Sequence, residues 1–386
     1  MADSKTMLRV AHVITGLEIG GAENMLYKLV KQHESENVQS TVISLGKLGP
    51  IGKQLESLNI DVEVLNFRRG AIPSIFGFIR FLSIIRARQP QILQGWMYHG
   101  NIAVTLAAFF IAPRPKVYWN IRQSLGPLEH ERNLTRKLIR VSALLSRIPS
   151  AIIYNSRVSA EQHSELGYCK KREKYIPNGF DVYQFRPDTV IREKIRKGLG
   201  ISEETILVGH IARFHPKKDH RTFFNAAKKV VDVSDDVIFL GVGRDVERKN
   251  ELIWQQIEAL ELQNSVILLG EQSIVSDIYC ALDLFVSSSR WGEGFPNNIG
   301  EAMATGLYCI ATDVGESKEL LGETGKVIAP GDISGLGKEI LSFADQKSAY
   351  WKKGRAARDR ICKLYAIDKI GRDYLSLYGK GYCSGC

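Results

Sequence analysis

The stretch Arg290-Trp-Gly-Glu-Gly-Phe-Pro-Asn-Asn-Ile-Gly-Glu-Ala-Met-Ala304 is the most informative part of this 386-residue chain. An apolar run, Leu284–Val286, precedes it, and helical spacing begins near Asn297. A loop rich in Gly and Pro between a buried strand and a helix predicts a strand–loop–helix unit. Backbone N–H groups at the start of such a helix favour an anionic ligand. The carboxylates of Glu293 and Glu301 can accept hydrogen bonds from a sugar diol, although simple surface solvation is the other interpretation.

The same alternation of strand and helix extends through the whole chain. Short apolar runs predict strands at Leu8–Ile14, Thr41–Leu45, Val62–Leu65, Gln91–Leu93, Lys116–Trp119, Ala151–Tyr154, Thr205–His210, Val237–Leu240, Val266–Leu269, Leu284–Val286 and Tyr308–Ala311. Helical patterns between such strands indicate βαβ units and a parallel sheet. The segment Ile176–Pro187, in which two prolines bracket Asn-Gly, is typical of a linker. We therefore predict two doubly wound α/β domains that face each other across a ligand-binding cleft.

A basic loop, Ile211–Arg221, follows the first predicted strand of the second domain. Arg213 and Lys218 would lie at the carboxyl end of that strand, where Arg offers a planar fork to phosphate oxygens and Lys a compact charge. A solvated basic turn is the other interpretation. Asp219 is a candidate N-cap for the next helix.

Two glycine-containing loops also follow strands, at Gly16–Gly21 and Gly241–Gly243. Neither has the spacing of a dinucleotide fingerprint. The first loop allows the backbone to approach a phosphate at a helix N-terminus, and a tight turn explains it equally well.

Composition limits the possible classes of protein. A content of 44% hydrophobic and 24% charged residues is typical of a globular protein. The longest uncharged apolar run, Ile102–Ala112, is shorter than the roughly 20 residues that span a bilayer. The first residues lack the pattern of a secretory signal, and the six cysteines form no zinc-binding pair of motifs. We therefore expect a cytoplasmic protein.

The net charge of +10 lies in the first half of the chain, since residues 1–180 contain 24 basic and 13 acidic residues. Residues 64–149 alone contain 13 basic and two acidic residues. Two stretches in this region, Ser74–Arg88 and Asn133–Ile148, combine basic and apolar residues at helical spacing. Such helices either meet anionic lipid or simply pack their apolar sides on a sheet. Binding of nucleic acid is disfavoured, because no recognition motif accompanies the charge.

Four motifs together resemble one enzyme family. Glu293 and Glu301, with Gly-Phe-Pro-Asn between them, match a Glu-x7-Glu signature, and Arg213 and Lys218 match a paired Arg-x4-Lys. The linker Pro177–Asp181, followed by Phe185 and Pro187, and the loop Gly20-Gly-Ala-Glu23 match two further motifs. The motifs occur in the family's order over essentially the full length. The chain thus resembles a retaining family-4 glycosyltransferase (glycosyl transferases group 1) of the GT-B fold, with two Rossmann-like domains.

The resemblance implies a domain division and a set of roles. It implies an acceptor-binding domain at 1–180, a nucleotide-sugar-binding domain at 181–360, and a terminal helix and tail at 361–386 that return to the first domain. Glu293, Arg213 and Lys218 would be catalytic, and the two cations would hold the diphosphate. The implied donor-binding residues are Gly21, Gly270, Gln272, Gly294, Phe295, Pro296, Asn297 and Glu301. Among these, Glu301 would bind the ribose, and the loop that begins at Gly270 would lie near the base.

The acceptor side departs from the family pattern. Many members carry a His in a Thr-x-His segment after the fifth strand, where this chain reads Trp119-Asn-Ile-Arg-Gln-Ser124. Arg122 is therefore one candidate for acceptor binding, and His99, in Gly95–Gly100, is another. A structural histidine and a surface arginine remain the alternatives.

From these features we expect transfer of a sugar, with retention, from a nucleotide-sugar to a lipid-linked or saccharide acceptor in bacterial surface polysaccharide synthesis. A UDP-sugar is favoured as co-substrate, and no cofactor or metal is expected, because the sequence contains no Asp-x-Asp. The basic first domain suggests a peripheral position on the inner face of the cytoplasmic membrane. The alternatives are a nucleotide-sugar epimerase or phosphorylase of the same architecture, or a non-catalytic nucleotide-sugar-binding protein.

Overall fold

The computed structural model describes residues 7–67, 74–125 and 133–379. The chain divides into two compact units: the first combines Met1–Gly179 with Ile367–Cys386, and the second is Phe180–Ala366. The second domain was predicted to end at residue 360, whereas the second unit ends at Ala366. The reason is that the helix Lys347–Leu364 packs on the second unit over its whole length.

The first unit is built on a parallel sheet with the strand order β3-β2-β1-β4-β5-β6-β7. Its strands are β1 (Leu8–Ile14), β2 (Val38–Ser44), β3 (Asp61–Val64), β4 (Ile92–Trp96), β5 (Lys116–Ile121), β6 (Ala151–Tyr154) and β7 (Glu173–Tyr175). Its helices are α1 (Gly21–His33), α2 (Gly49–Ser57), α3 (Ile75–Arg88), α4 (Met97–Ala107), α5 (Asn133–Leu145), α6 (Arg157–Glu165) and, from the end of the chain, α15 (Ile367–Tyr378).

The second unit repeats this plan with the strand order β10-β9-β8-β11-β12-β13. Its strands are β8 (Ile206–Ile211), β9 (Val237–Val242), β10 (Val266–Leu268), β11 (Leu284–Ser287), β12 (Tyr308–Thr312) and β13 (Lys326–Ile328). Its helices are α7 (Thr189–Gly198), α8 (His220–Val231), α9 (Glu251–Ala259), α10 (Val275–Ala281), α11 (Asn297–Ala304), α12 (Ser317–Leu321), α13 (Ile333–Asp345) and α14 (Lys347–Leu364).

Each sheet buries both of its faces under helices. Along β1, Val10 and Ile14 pack into one apolar core while Ala11 and Val13 pack into another. Because successive side chains of a strand point to opposite faces, two cores on one strand mean that both faces are covered. This confirms the prediction of doubly wound α/β architecture.

The strand order reverses between β1 and β4 in the first sheet and between β8 and β11 in the second. Ligands of open α/β sheets bind beyond the carboxyl ends of the strands at such a reversal. The loops that leave β8 and β11 carry the predicted Arg213, Lys218 and Glu293. Within the three described ranges, no helix has the length and apolar character that crossing a membrane requires.

Candidate functional site

The loops at the carboxyl edge of the second sheet form a continuous rim. In chain order they carry Arg213, Gly243, Gly270, Glu293 and Gly315, which follow β8 to β12. The backbone N–H of Gly243 donates to the carbonyl of Gly270 over 2.8 Å. A β-carbon at Gly243 would overlap the carbonyl of Ala212, and one at Gly315 would overlap that of Glu293. Both glycines also have positive φ angles, so these close loop contacts require glycine.

Lys218 ends a short 3-10 turn, Pro216–Lys218, directly before α8. Asp219 follows with a left-handed backbone (φ 46°), and its carboxylate accepts a hydrogen bond from the N–H of Thr222 over 3.2 Å. This confirms the predicted N-cap. The cap fixes the point at which the loop enters the helix, and with it the direction in which Lys218 leaves the backbone.

The ammonium of Lys218 forms an ion pair with Oε1 of Glu293. The hydroxyl of Ser289 donates to the same oxygen over 2.8 Å. Both charged side chains are mostly buried, so their attraction is less screened by water than that of a surface pair. The structure thus brings together two residues that the sequence predicted for one site, and it shows that they are direct partners.

Two residues to which no sequence motif assigns a role, Ser288 and Arg290, tie the β8–α8 loop to the β11–α11 loop. The hydroxyl of Ser288 lies 3.1 Å from the carbonyl oxygens of both Lys218 and Asp219. The backbone N–H of Arg290 donates to the carbonyl of Lys217 over 2.7 Å, and its guanidinium lies 3.3 Å from the Asp219 carboxylate. These contacts fix the loop of Lys218 relative to the loop of Glu293.

Arg213 lies at the same edge with an exposed side chain. Within the described part of the chain, its guanidinium has neither an ion-pair partner nor a hydrogen-bond acceptor. An arginine with unused donors at a strand end is suited to bind a phosphate group.

The helix α11 begins on the same rim at Asn297. Its N-cap residue is Pro296, which makes no side-chain cap, and the N–H of Ile299 in the first turn donates to Oδ1 of Asn298 over 3.0 Å. The amide of Asn298 donates to the carbonyl of Ile211 over 3.2 Å, which ties the helix start to the end of β8. The helix dipole makes this end of α11 attractive to an anion.

Glu301 lies one turn inside α11, as predicted. The hydroxyl of Tyr279 lies 3.3 Å from Oε2 of Glu301 and also donates to the carbonyl of Asn298 over 3.1 Å. Burial raises the pKa of Tyr279, and the neighbouring Glu301 carboxylate raises that pKa further. Tyr279 is therefore a protonated donor that positions Glu301.

The loop residues between Glu293 and α11 make different contacts. Phe295 is buried, with its ring 6.1 Å from that of Phe180 and 5.7 Å from that of Tyr365. Its side chain therefore belongs to the core, and only its backbone is free to serve a ligand. The carbonyl of Gly294 accepts a hydrogen bond from the N–H of Glu316 over 3.1 Å.

The loop after β10 contains the residues predicted to lie near the base. Gly270 has a positive φ of 68°, and its N–H donates to the carbonyl of Val246 over 2.8 Å. The amide of Gln272 donates to the carbonyl of Leu269 over 2.7 Å. The loop is thus fixed at the rim by its own hydrogen bonds.

In the first unit, the loop after β1 leads into α1, and Gly21 is the exposed first residue of that helix. A β-carbon at Gly20 would overlap the carboxylate of Glu23, so the side chain of Glu23 folds back over the helix start. Burial raises the pKa of Glu23. His99 is exposed in the first turn of α4, directly after β4.

Arg122, the second acceptor-side candidate, is buried, so the alternative of a surface arginine was wrong. Its guanidinium donates to the side chain of Asn178 over 2.8 Å and to the carbonyl of Ile176 over 3.2 Å, and it also contacts the hydroxyl of Tyr374. Burial lowers the pKa of Arg122. The residue therefore joins the end of the linker to α15, and its role in acceptor binding stays a prediction.

Comparison with known proteins identifies the family. Residues 19–184 match the family described as Glycosyltransferase Family 4, and residues 205–346 match the family described as Glycosyl transferases group 1. The lipopolysaccharide core biosynthesis mannosyltransferase LpsB of Rhizobium meliloti is 28% identical over 289 residues, which cover 69% of this chain and 80% of the relative. The UDP-Gal:alpha-D-GlcNAc-diphosphoundecaprenol alpha-1,3-galactosyltransferase of Escherichia coli is 31% identical over 176 residues, which cover 45% of each protein.

The solved structures agree in fold. The crystal structure of Anabaena HepE in complex with UDP superposes with a TM-score of 0.84 at 22% identity, over 97% of this chain and 100% of that chain. Its likeness confirms the predicted GT-B fold of two Rossmann-like units. With both units matched by models of one enzyme family, the chain belongs to the family-4 glycosyltransferases, the glycosyl transferases group 1.

Proposed function

We propose that this glycosyltransferase moves a sugar, with retention and without a metal ion, from a UDP-sugar to a lipid-linked saccharide in bacterial surface polysaccharide synthesis. The observation that carries the proposal is the Lys218–Glu293 pair beside the exposed Arg213 and the N-terminus of α11. The names of the relatives support it, since one uses UDP-Gal and a diphosphoundecaprenol-linked acceptor and another acts in lipopolysaccharide core biosynthesis.

The charges at the rim fit the departure of a nucleoside diphosphate. Cleavage of the sugar–phosphate bond leaves additional negative charge on the leaving phosphate. Arg213, Lys218 and the N-terminus of α11 supply fixed positive charge and backbone donors at the same edge, and such groups stabilise the transition state most when they are pre-positioned. In this scheme they replace the divalent cation that other glycosyltransferases use.

The step that we propose is a front-face displacement. The bond from the anomeric carbon to the phosphate oxygen breaks, and a bond to the acceptor oxygen forms on the same face of the sugar. The proton of the acceptor hydroxyl passes to the departing phosphate oxygen. Glu293 contacts the transferred sugar, and Lys218 exchanges the Glu293 carboxylate for a phosphate oxygen.

The remaining donor contacts are those that the family resemblance implies. The carboxylate of Glu301, held by Tyr279, would accept hydrogen bonds from the ribose diol. Gly270 and Gln272 would lie beside the base, and Gly21 would approach the phosphate. On the acceptor side, His99 and Arg122 both stay candidates: the His99 side chain is exposed, and the Arg122 guanidinium is buried and binds Ile176, Asn178 and Tyr374.

The proposed location is peripheral, on the inner face of the cytoplasmic membrane, where lipid-linked acceptors are assembled. The excess of 24 basic over 13 acidic residues in residues 1–180 supports attraction to anionic lipid.

The test is a transfer assay with a UDP-sugar and a polyprenyl-diphosphate-linked saccharide in the presence of EDTA, with the anomeric configuration of the product determined by NMR. We expect transfer with retention, and its loss in Glu301→Ala but not in Glu193→Ala, an exposed glutamate on α7. Inversion or a strict need for a divalent metal would contradict the proposal. Conversion of the donor's sugar to its epimer in the absence of an acceptor would indicate an epimerase. Formation of a sugar phosphate from inorganic phosphate would indicate a phosphorylase.

A further inference from the structure

The short turn Pro216–Lys218, whose last residue is predicted to hold the diphosphate of the donor, begins at His215. The backbone N–H of Lys217 donates to Nδ1 of the His215 imidazole over 3.2 Å, and the N–H of Lys218 donates to the His215 carbonyl over 2.8 Å. A side chain that accepts from the N–H of the second residue of a turn or helix is its N-cap. Proline at the first position has no N–H, so the imidazole accepts from the first N–H that the turn offers.

This contact fixes the protonation state of the imidazole ring. A backbone N–H can only donate, so Nδ1 of His215 carries a lone pair and the ring proton lies on Nε2. An imidazolium ion has protons on both nitrogens and cannot accept the hydrogen bond. Partial burial lowers the pKa of His215, and the positive charges of Arg213, Lys217 and Lys218 lower it further. The neutral form of the ring, which makes the cap, is therefore favoured at neutral pH.

The loop after β11 holds the other side of the turn. The N–H of Arg290 donates to the carbonyl of Lys217 over 2.7 Å, whereas the N–H of the same lysine is bound by the imidazole. The charged side chains on this side are paired, Glu293 with Lys218 and Arg290 with Asp219. The cap thus completes the backbone hydrogen bonding of the residue that directly precedes Lys218.

We infer that His215 is the positioning residue of Lys218. Its neutral imidazole holds the turn in the form from which the Lys218 ammonium reaches the carboxyl edge of the second sheet. The inference deepens the proposed function and rests on it for the ligand of Lys218, which is the diphosphate of the donor. The ring acts through the backbone of the turn and needs no contact of its own with the donor.

The experiment is isothermal titration calorimetry of the full chain with UDP in EDTA at about pH 7.5, where the imidazole is neutral. His215→Ala should bind UDP about five- to tenfold more weakly, the effect of losing a typical N-cap. His215→Asn should bind UDP almost as tightly as the wild type, because Oδ1 of asparagine takes the place of Nδ1 and accepts from the same N–H.

The matched control is Asp188→Ala, which removes another N-cap of the second unit. The Asp188 carboxylate accepts from the N–H of Ile191 over 3.0 Å at the start of α7. This variant should lower the melting temperature without weakening UDP binding.

The pH profile of UDP binding is a readout that a merely structural role of the ring would not move. As the pH falls through the lowered pKa of His215, Nδ1 gains a proton and the cap is lost, so binding by the wild type should weaken. Protonation of UDP itself, whose terminal phosphate has a pKa of about 6, affects the wild type and His215→Asn alike. The wild type should therefore lose up to about fivefold more affinity than His215→Asn below about pH 6.

Long-range proton–nitrogen NMR of the imidazole tests the inference without UDP. We expect a proton on Nε2 of His215 and none on Nδ1 at neutral pH, and the opposite tautomer would overturn the inference. So would UDP binding that His215→Ala leaves intact, or that His215→Asn weakens as much as His215→Ala does, because the ring would then act on the ligand directly. A folded wild type that shows the expected tautomer but binds no UDP would instead contradict the proposed function, and with it the ligand assigned to Lys218.

Discussion

The ammonium of Lys218 and the carboxylate of Glu293, 75 positions apart in the chain, are direct ion-pair partners at the carboxyl edge of the second sheet. One is predicted to hold the diphosphate of the donor, and the other to contact its sugar. A diphosphate that binds Lys218 therefore competes with Glu293 for the same ammonium. The pair links donor binding to the position of the carboxylate.

Removal of the Glu293 charge should separate binding from turnover. In Glu293→Gln, Lys218 no longer has a carboxylate competitor, so UDP should bind several-fold more tightly, while sugar transfer falls by about 10²-fold or more. Isothermal titration calorimetry and the transfer assay measure the two effects. The matched control is Glu193→Gln, at an exposed position of α7. Weaker UDP binding by Glu293→Gln would show that the carboxylate does not restrain Lys218.

The Ser288 hydroxyl should matter for the position of Lys218. Ser288→Ala removes the hydrogen bonds to the carbonyls of Lys218 and Asp219 and should cost about 1 kcal/mol of stability. Because Lys218 is then less well placed, transfer should fall about tenfold or more. The control is Ser342→Ala on α13, which removes a hydrogen bond of 2.8 Å between the hydroxyls of Ser342 and Tyr350. It should lower the melting temperature without the same loss of transfer. Equal effects of the two substitutions on transfer would contradict this role.

Two helical glycines offer a matched pair for the packing of the second unit. A β-carbon at Gly300 of α11 would overlap the ring of Phe180, whereas one at Gly198 of α7 meets nothing within 4 Å. Gly300→Ala should destabilise the protein by about 1–3 kcal/mol through overpacking. Gly198→Ala should be neutral or stabilising by up to about 1 kcal/mol through helix propensity. Thermal denaturation compares them, and an unchanged melting temperature in Gly300→Ala would refute the packing.

Stability should decline as the pH falls below the usual histidine pKa of about 6.5. Burial lowers the pKa of His210 to about 4, of His163 to about 4 and of His12 to about 3. Between pH 6.5 and 4 these histidines therefore bind more protons in the unfolded chain than in the folded chain. Their contribution to the free energy of unfolding is complete above pH 6.5 and is lost as the pH falls toward 4.

One substitution isolates this effect. His210 contacts the carbonyl of Val286 through Nδ1 over 3.0 Å, and the amide of an asparagine can replace that donor. In His210→Asn, the decline in stability between pH 6.5 and 4 should be shallower by up to about 1.4 kcal/mol per pH unit. Chemical denaturation at several pH values measures the slope, and an unchanged slope would mean that folding does not lower the pKa of His210.

The sequence predicts the central strands well, because each is mainly apolar and is buried on both faces. The short edge strands β7 and β13 were not predicted, since Glu173–Tyr175 and Lys326–Ile328 each contain only three residues and include lysine. The helix α9 begins at Glu251, where Asn250 supplies a cap that accepts from the N–H of Leu252 over 3.2 Å.

The site was predictable as a set of loops but not as a set of contacts. Strand–loop–helix order places Arg213, Lys218 and Glu293 at one edge, because the carboxyl ends of parallel strands share that edge. No periodicity reveals that Ser288 binds the backbone of Lys218, since the two are distant in sequence and serine is common at strand ends. The burial of Arg122 depends on α15, which contributes Tyr374 from the far end of the chain.

The most direct test of the central claim is isothermal titration calorimetry of the protein with UDP in the presence of EDTA. The wild type is compared with the double variant Arg213→Ala/Lys218→Ala and with the control Lys194→Ala, at an exposed position of α7. Metal-free diphosphate binding by the two cations predicts UDP binding by the wild type and by the control, and its loss in the double variant. UDP binding that requires Mg²⁺ or Mn²⁺, or that persists unchanged in the double variant, would contradict the account.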